Sequence, residues 1–193
     1  MPPTPLLLAS SNPGKLQEFQ GLLAGIPTWE VRLLPPGVDL PETGTSFRDN
    51  AIQKAQTAAR HFGQWSLADD SGLCVAALGG APGVYSARYG RSDAERIAKL
   101  LAALEGVRDR RAYFAAALVI CDPTGQVRAV AEGYCHGEIT TAPRGTGGFG
   151  YNPIFYVPEQ GLTFAEMTVE QRRQLSHRGI AWQALLPQLL ALP

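Results

Sequence analysis

Apolar residues recur along this chain with two different spacings, and the change of spacing marks its elements. Leu6-Leu7-Leu8-Ala9 is a short continuous apolar run, which predicts a strand buried on both faces. In the Ser-Ser-Asn-Pro-Gly-Lys stretch that follows, Asn12 suits a helix N-cap and Pro13 the first helical position. Leu16, Phe19, Leu22 and Leu23 then recur at helical spacing. Trp29 to Leu34 reads as a second strand. Ser46 and Asp49 open a helix whose apolar side holds Phe47, Ala51, Ala55, Ala58, Ala59 and Phe62. Trp65 to Asp69 predicts the next strand, ending where Asp70-Ser71-Gly72 begins. Beyond a Gly/Pro-rich loop, Ser92 and Glu95 open a helix with Ile97, Leu100, Leu101 and Leu104.

Ala112 to Cys121 and Val127 to Ile139 flank an Asp-Pro-Thr-Gly turn and predict a long hairpin. The last third runs through a Gly-rich loop and a short strand, Ile154 to Val157, to a capping box at Thr168 and Gln171. A final helix follows Ser176, with Ile180, Trp182, Leu185, Leu186, Leu189 and Leu190 as its apolar residues. Strand-helix units mixed with a long hairpin predict an α/β fold: an elongated, mixed, twisted sheet flanked by helices, with two lobes around a cleft. The 193 residues suit one domain, spanning 1–193.

Composition narrows the class. Seventeen basic and 17 acidic residues cancel, so the footprint of a protein that grips nucleic acid is missing, while a small anionic ligand needs only a local positive cluster. Three widely spaced cysteines form no metal or disulfide pattern and suggest free thiols in a reducing compartment. No run reaches the ~18 apolar residues of a membrane span. The expectation is a cytoplasmic protein.

Four stretches carry candidate chemistry. At Ser10 to Lys15, free N–H groups at a helix start, the helix dipole and a lysine converge on one point, which suits an anion. Asp69 and Asp70 stand side by side, and successive strand side chains point to opposite faces. Both therefore share a pocket only if the strand breaks between them; otherwise one works and the other supports. A carboxylate there suits Mg²⁺, or the proton of a water, and Glu42 is a candidate second oxygen ligand. The loop Gly-Thr-Gly-Gly-Phe-Gly-Tyr-Asn-Pro, with Phe149 and Tyr151 among four glycines, suits a stacked nucleobase. Finally, His177 and Arg178 follow the Ser176 cap, where positive charge opposes the helix dipole and invites an anionic or carbonyl-bearing partner. Each stretch also has a plainer reading: a helix cap, a capped turn with a solvated Asp, a hairpin loop with core aromatics, a solvated surface pair.

Taken in order, ASSNPGK, PETGTSFRDNAIQKA, LADDSGLCVAALGGAPGVYSARY, GTGGFGYNPIF and LSHRG cover nearly the whole chain. In these motifs it resembles the inosine and xanthosine triphosphate pyrophosphatases, which remove deaminated purine nucleotides. The resemblance implies hydrolysis of a nucleoside triphosphate to a monophosphate and pyrophosphate with Mg²⁺, by a protein commonly a homodimer. It implies that Ser10, Ser11, Asn12, Pro13, Gly14 and Lys15 hold the phosphates. Asp70 would be the proton acceptor and, with Glu42, a magnesium ligand. Ser71 and the loop Phe149, Gly150, Tyr151 and Asn152 would contact the nucleotide, Phe149 against the base, with His177 and Arg178 reading the base edge. Two positions depart from the family pattern: Asn152 stands for the usual aspartate, and Arg172 for a lysine expected near the phosphates. A pyrophosphatase for modified pyrimidine triphosphates and a non-hydrolytic nucleotide sensor are the alternatives.

Overall fold

A computed structural model describes residues 2–35 and 37–192. The buried run around Leu6 becomes β1 (Thr4–Leu8), and β1 takes parallel partners on both sides, β2 (Trp29–Leu33) and β3 (Trp65–Val75). That central position is why three consecutive leucines are all buried. β4 (Arg111–Cys121), β5 (Val127–Ile139), β6 (Phe155–Val157) and β7 (Leu162–Thr163) then add antiparallel, giving the order β2-β1-β3-β4-β5-β6-β7. The mixed sheet and the hairpin follow the sequence pattern. The two-residue β7 escapes it, and Ile154 sits in a 3-10 turn just before β6.

The strand expected to stop at Asp69 does not. β3 runs eleven residues through Asp69-Asp70-Ser71-Gly72 to Val75, because Val75 to Ser66 pair continuously with Ala112 to Cys121 of β4. On its other edge β3 pairs with β1 at Trp65 to Leu67 and forms an isolated bridge with Pro82 at Cys74, and between them, at the acidic pair, it has no strand partner. The acidic pair is therefore inside a strand, just past the end of the strand beside it.

Helices cover both faces. α1 (Pro13–Leu23) and α5 (His177–Leu190) pack Phe19, Trp182, Leu185 and Leu189 on Leu6, Leu8, Leu67, Leu118 and Ile120. α2 (Phe47–Phe62) covers the other face with Ala51, Ala55, Ala58 and Ala59 against Ala68, Ala117 and Val119. Small side chains bring this helix close enough for Ser66 Oγ to donate to Ala55 O at 2.7 Å. A separate cluster at the far end joins α3 (Asp93–Ala103) to Phe114, Phe155 and Phe164. α4 (Val169–Leu175) leads into α5. Leu190, expected on the apolar side of the last helix, is 59% exposed.

The three cysteines are free and buried. Burial pushes the Cys121 thiol up to about 12 and that of Cys135 up to about 11, and raises Cys74 as well.

α5 reaches its place by a close approach to β5. A Cβ added at Gly133 would strike the His177 carbonyl and the Ala181 nitrogen, so only glycine lets the start of the helix lie on the strand. Gly133→Ala should destabilise the fold by about 1–3 kcal/mol, the usual cost of overpacking. A shift of the urea midpoint measures it, and an unchanged midpoint would show that the helix has room to move.

Candidate active site

The chain leaves β1 at Leu8 and turns at once into α1. Ser10 Oγ accepts the Asn12 N–H at 3.1 Å, Asn12 Oδ1 caps the helix by accepting Gly14 N–H at 2.8 Å, and Pro13 opens it. Ala9 N–H donates to Leu67 O at 2.8 Å, the last bond that this segment gives β3. Two residues on, the carbonyl of Asp69 faces the same edge with no strand to meet it. Lys15 Nζ from α1 and Lys54 Nζ from α2 both donate to it, each at 3.1 Å.

From there the two aspartates diverge, as pleating requires. Asp69 is fully buried on the α1/α5 face, where its Oδ2 accepts Lys15 Nζ at 3.0 Å and Arg178 Nε and Nη2 at 3.0 and 2.8 Å. Burial alone would raise its pKa, but Arg178 and Lys15 outweigh it and hold the carboxyl well below the usual carboxylate range. Arg178 also reaches Glu18 and donates to Ser71 Oγ at 2.9 Å. Asp70 is on the α2 face, its Oδ1 accepting Lys54 Nζ at 2.7 Å and its Oδ2 accepting Asn50 Nδ2 at 3.2 Å. Here burial dominates over Lys54 and the Asp70 carboxyl is pushed up.

Glu42 joins through the same lysine, with Oε1 3.0 Å from Lys54 Nζ and Oε2 3.2 Å from Arg88 Nη2. Its loop is tied to α2, since Gly44 N–H donates to Asn50 Oδ1 at 2.8 Å. Burial lowers the pKa of Lys54, but Asp70 and Glu42 more than offset this and keep the ammonium charged. Glu42 and Asp70 thus converge within hydrogen-bond reach of one atom. Among the described residues no third Asp, Glu, His or Cys completes a metal cluster with them. Two hard oxygen donors nonetheless fit Mg²⁺, which takes one or two carboxylates and completes its shell with phosphate oxygens and water.

Phe149 lies over the start of α1, where a Cβ on Gly14 would come within 3.0 Å of the ring, and Arg178 Cζ is 5.9 Å from the ring centroid. A cavity of about 260 Å³, lined by Lys15, Ser71, Phe149, Tyr151, His177 and Arg178, meets another of about 600 Å³, lined by Ser10, Ser11, Glu42 and Lys54, at Asn12 and Lys15. Both carry charged groups, and the first also carries the aromatic rings Phe114, Phe149, Tyr151 and Phe164.

Several sequence expectations change in detail. His177 is no cation: its ring is buried, stacked 4.6 Å from Phe114, and burial followed by the neighbouring Arg178 depresses its pKa well below the imidazole range. Arg172 spends one nitrogen on the Phe164 and Met167 carbonyls, at 3.0 and 2.6 Å, so it braces residues 164–167. Tyr151 is buried, with its hydroxyl donating to Ser86 O at 2.9 Å. Asn152 folds back on its own loop: with the amide oriented to satisfy both ends, it donates to Phe149 O and accepts Phe149 N–H, both at 3.2 Å. An aspartate side chain at 152 has no N–H to give the first of these contacts, which would leave Phe149 O to the backbone N–H of residue 152 at 3.3 Å.

Lys54, Asn50 and Glu18 were missed by the sequence reading. The first two carry a readable signal, because Asn50 and Lys54 interrupt the buried stripe of α2 at helical spacing.

Among the described residues, Asp69 Oδ1 and His177 Nδ1 are buried side-chain atoms without a partner. For His177 this has a pH consequence. Above the unfolded pKa of about 6.5 both states are neutral and the folded chain keeps its full stability. Below it the unfolded chain takes a proton that the folded one refuses, and stability falls by up to about 1.4 kcal/mol per pH unit toward the depressed folded pKa. Urea unfolding at pH 7.5 and 5.5 should show this loss in the wild type and a flatter dependence in His177→Phe; equal slopes would remove the buried neutral imidazole as its cause.

Known proteins resemble this chain over nearly its full length. A dITP/XTP pyrophosphatase of Synechococcus sp. (strain CC9311) is 55% identical over 184 residues, 95% of this chain and 89% of that protein. One from Nostoc sp. is 52% identical over 187 residues, 97% of this chain and 95% of that protein. Among solved structures, the Staphylococcus aureus Ham1 protein superposes with a TM-score of 0.83 at 41% identity, covering 96% of this chain and 97% of its own. A HAM1 protein from Coxiella burnetii gives 0.84 at 41% identity, covering 98% and 100%. Residues 6–188 match the Ham1 family, and the chain belongs to that family.

Proposed function

We propose that the protein hydrolyses deaminated purine nucleoside triphosphates, dITP, ITP and XTP, to the monophosphate and pyrophosphate. The observation that carries this is the junction at Lys15 of a concavity lined by Glu42 and Lys54, whose ammonium also holds Asp70 at 2.7 Å, with another walled by Phe149 and Arg178. The names borne by the Synechococcus and Nostoc relatives support dITP and XTP among these substrates.

In this reading the triphosphate lies along Ser10 to Lys15, where the α1 N-terminus and the ammonium groups of Lys15 and Lys54 offset its charge. Asp70, whose pKa burial raises, accepts the proton of the attacking water as its oxygen bonds to phosphorus, and the α–β anhydride breaks with pyrophosphate leaving. Glu42 and Asp70 would hold Mg²⁺, which neutralises phosphate charge when bound. Asn50 fixes the Asp70 carboxylate, and Asp69 stays anionic to hold Lys15 and Arg178 in place. The base stacks on Phe149, with Arg178 beside it. A 6-oxo group offers Arg178 an acceptor, whereas the amino group of adenine leaves a donor facing a donor, a penalty of about 1–3 kcal/mol.

Homodimerisation and residence in the cytoplasm belong to the same proposal. Exposed Tyr85 and Tyr134 line one shallow concavity on the sheet, a surface suited to a second copy, and three unpaired thiols fit a reducing compartment. Among the described residues no helix is long and apolar enough to cross a membrane.

Steady-state hydrolysis of dITP, ITP, XTP, GTP and ATP with Mg²⁺ tests the reading. Pyrophosphate should appear with kcat/KM at least ~100-fold higher for the deaminated substrates than for ATP, about 2.7 kcal/mol of discrimination. Orthophosphate alone, or no turnover, would overturn it. Asp70→Asn should lower kcat by roughly 10²–10⁴, the range of a lost general base, and a variant keeping most of its turnover would take Asp70 out of that role.

A further inference from the structure

Phe149 sits in a loop that is held chiefly through its backbone, and one of the ties comes from outside every nucleotide-facing motif. Asp93, in the first turn of α3, accepts the Gly150 N–H on Oδ2 at 2.7 Å. This is a short, charge-assisted bond across 57 residues of sequence. Its other oxygen accepts Arg96 Nη1 at 2.6 Å, and Arg96 Nε is anchored in turn on Gly90 O at 3.1 Å. The Asp93 carboxylate is thus fixed at both oxygens, and its place in the first turn of α3 favours the negative charge.

What Asp93 grips is the peptide between Phe149 and Gly150. Gly150 has φ of +63°, a backbone state that a side chain at this position would resist. On the other side of that peptide, Phe149 is held within the loop by both ends of the Asn152 amide. Asn152 is the internal clamp and Asp93 the external one. The ring lies against the start of α1 and the flank of Arg178, and its height over the cavity it lines is set through its backbone by these two clamps. Asp93 and Arg96 both line that cavity.

We propose that Asp93 is a positioning residue for Phe149, setting the stacking surface against which the base binds while taking no part in the phosphate chemistry. The inference rests on the functional reading above and goes beyond it by separating base affinity from catalysis at one carboxylate. Asp93 is about half exposed, and Arg96, which loses its ion pair on replacement, keeps its bond to Gly90 O.

The test compares wild type, Asp93→Ala and Asp93→Asn with dITP, and uses inorganic triphosphate, which has no base, as a competitive inhibitor. Asp93→Ala should raise KM for dITP about tenfold with kcat within about twofold, and leave the inhibition constant of inorganic triphosphate unchanged. Asp93→Asn, which keeps an acceptor oxygen, should recover most of the lost affinity. An unchanged KM in Asp93→Ala, or an equal loss of affinity for dITP and inorganic triphosphate, would overturn the positioning role. A wild type that does not turn over dITP would instead overturn the functional reading, and this inference with it.

Discussion

Two ammonium groups, one from each face of the sheet, meet at the carbonyl oxygen of Asp69. They do so because β1 stops at Leu8 while β3 continues, which leaves a buried acceptor that the ladder cannot satisfy. Satisfying it with lysines brings in positive charge, and the charge then needs counterions. Lys15 finds Asp69, and Lys54 finds Asp70 and Glu42. Arg178 adds its own charge against Asp69 and Glu18, bringing α5 onto α1. A mismatch in strand length thus organises both helical layers around one point.

Adjacent aspartates end with opposite acidities for the same reason. Asp69 looks toward two cations and is locked as an anion, whereas Asp70 is dominated by burial and is pushed toward holding a proton. Neighbouring carboxylates with environments that pull their pKa values apart divide the work between anchoring and proton transfer. The division needs no special backbone, only the two-residue period of a strand.

What was legible in the sequence is what local interactions decide. Asn12, Ser46, Ser92, Thr168 and Ser176 each cap the helix expected of them, because a cap is a bond between residues two or three apart. The hairpin turn at 122–125 is equally local. The path of β3 was not legible: Asp-Asp-Ser-Gly reads as a strand end, and only pairing with Leu118 to Ala115 of β4 keeps it extended. The sequence also set two cations against the dipole of α5. The fold removes one conflict by burying His177 as a neutral ring on Phe114 and the other by giving Arg178 two carboxylates. The motif resemblance named Asp70, Glu42 and Lys15, but it could not foresee that Lys15 is bound to Asp69 or that one nitrogen of Arg172 is bound to the Phe164 and Met167 carbonyls. Those depend on contacts between segments far apart in the chain.

Buried cysteines give the molecule a chemical character that bears on its surroundings. Nitrosating and oxidising reagents attack sulfur as the thiolate, in proportion to exposure. Here all three sulfurs are shielded, and their pKa values are moved further from neutrality rather than toward it. Deamination of purine amino groups by nitrosation is chemistry of the same reagents. With its three thiols buried, the protein offers such reagents little thiolate to attack.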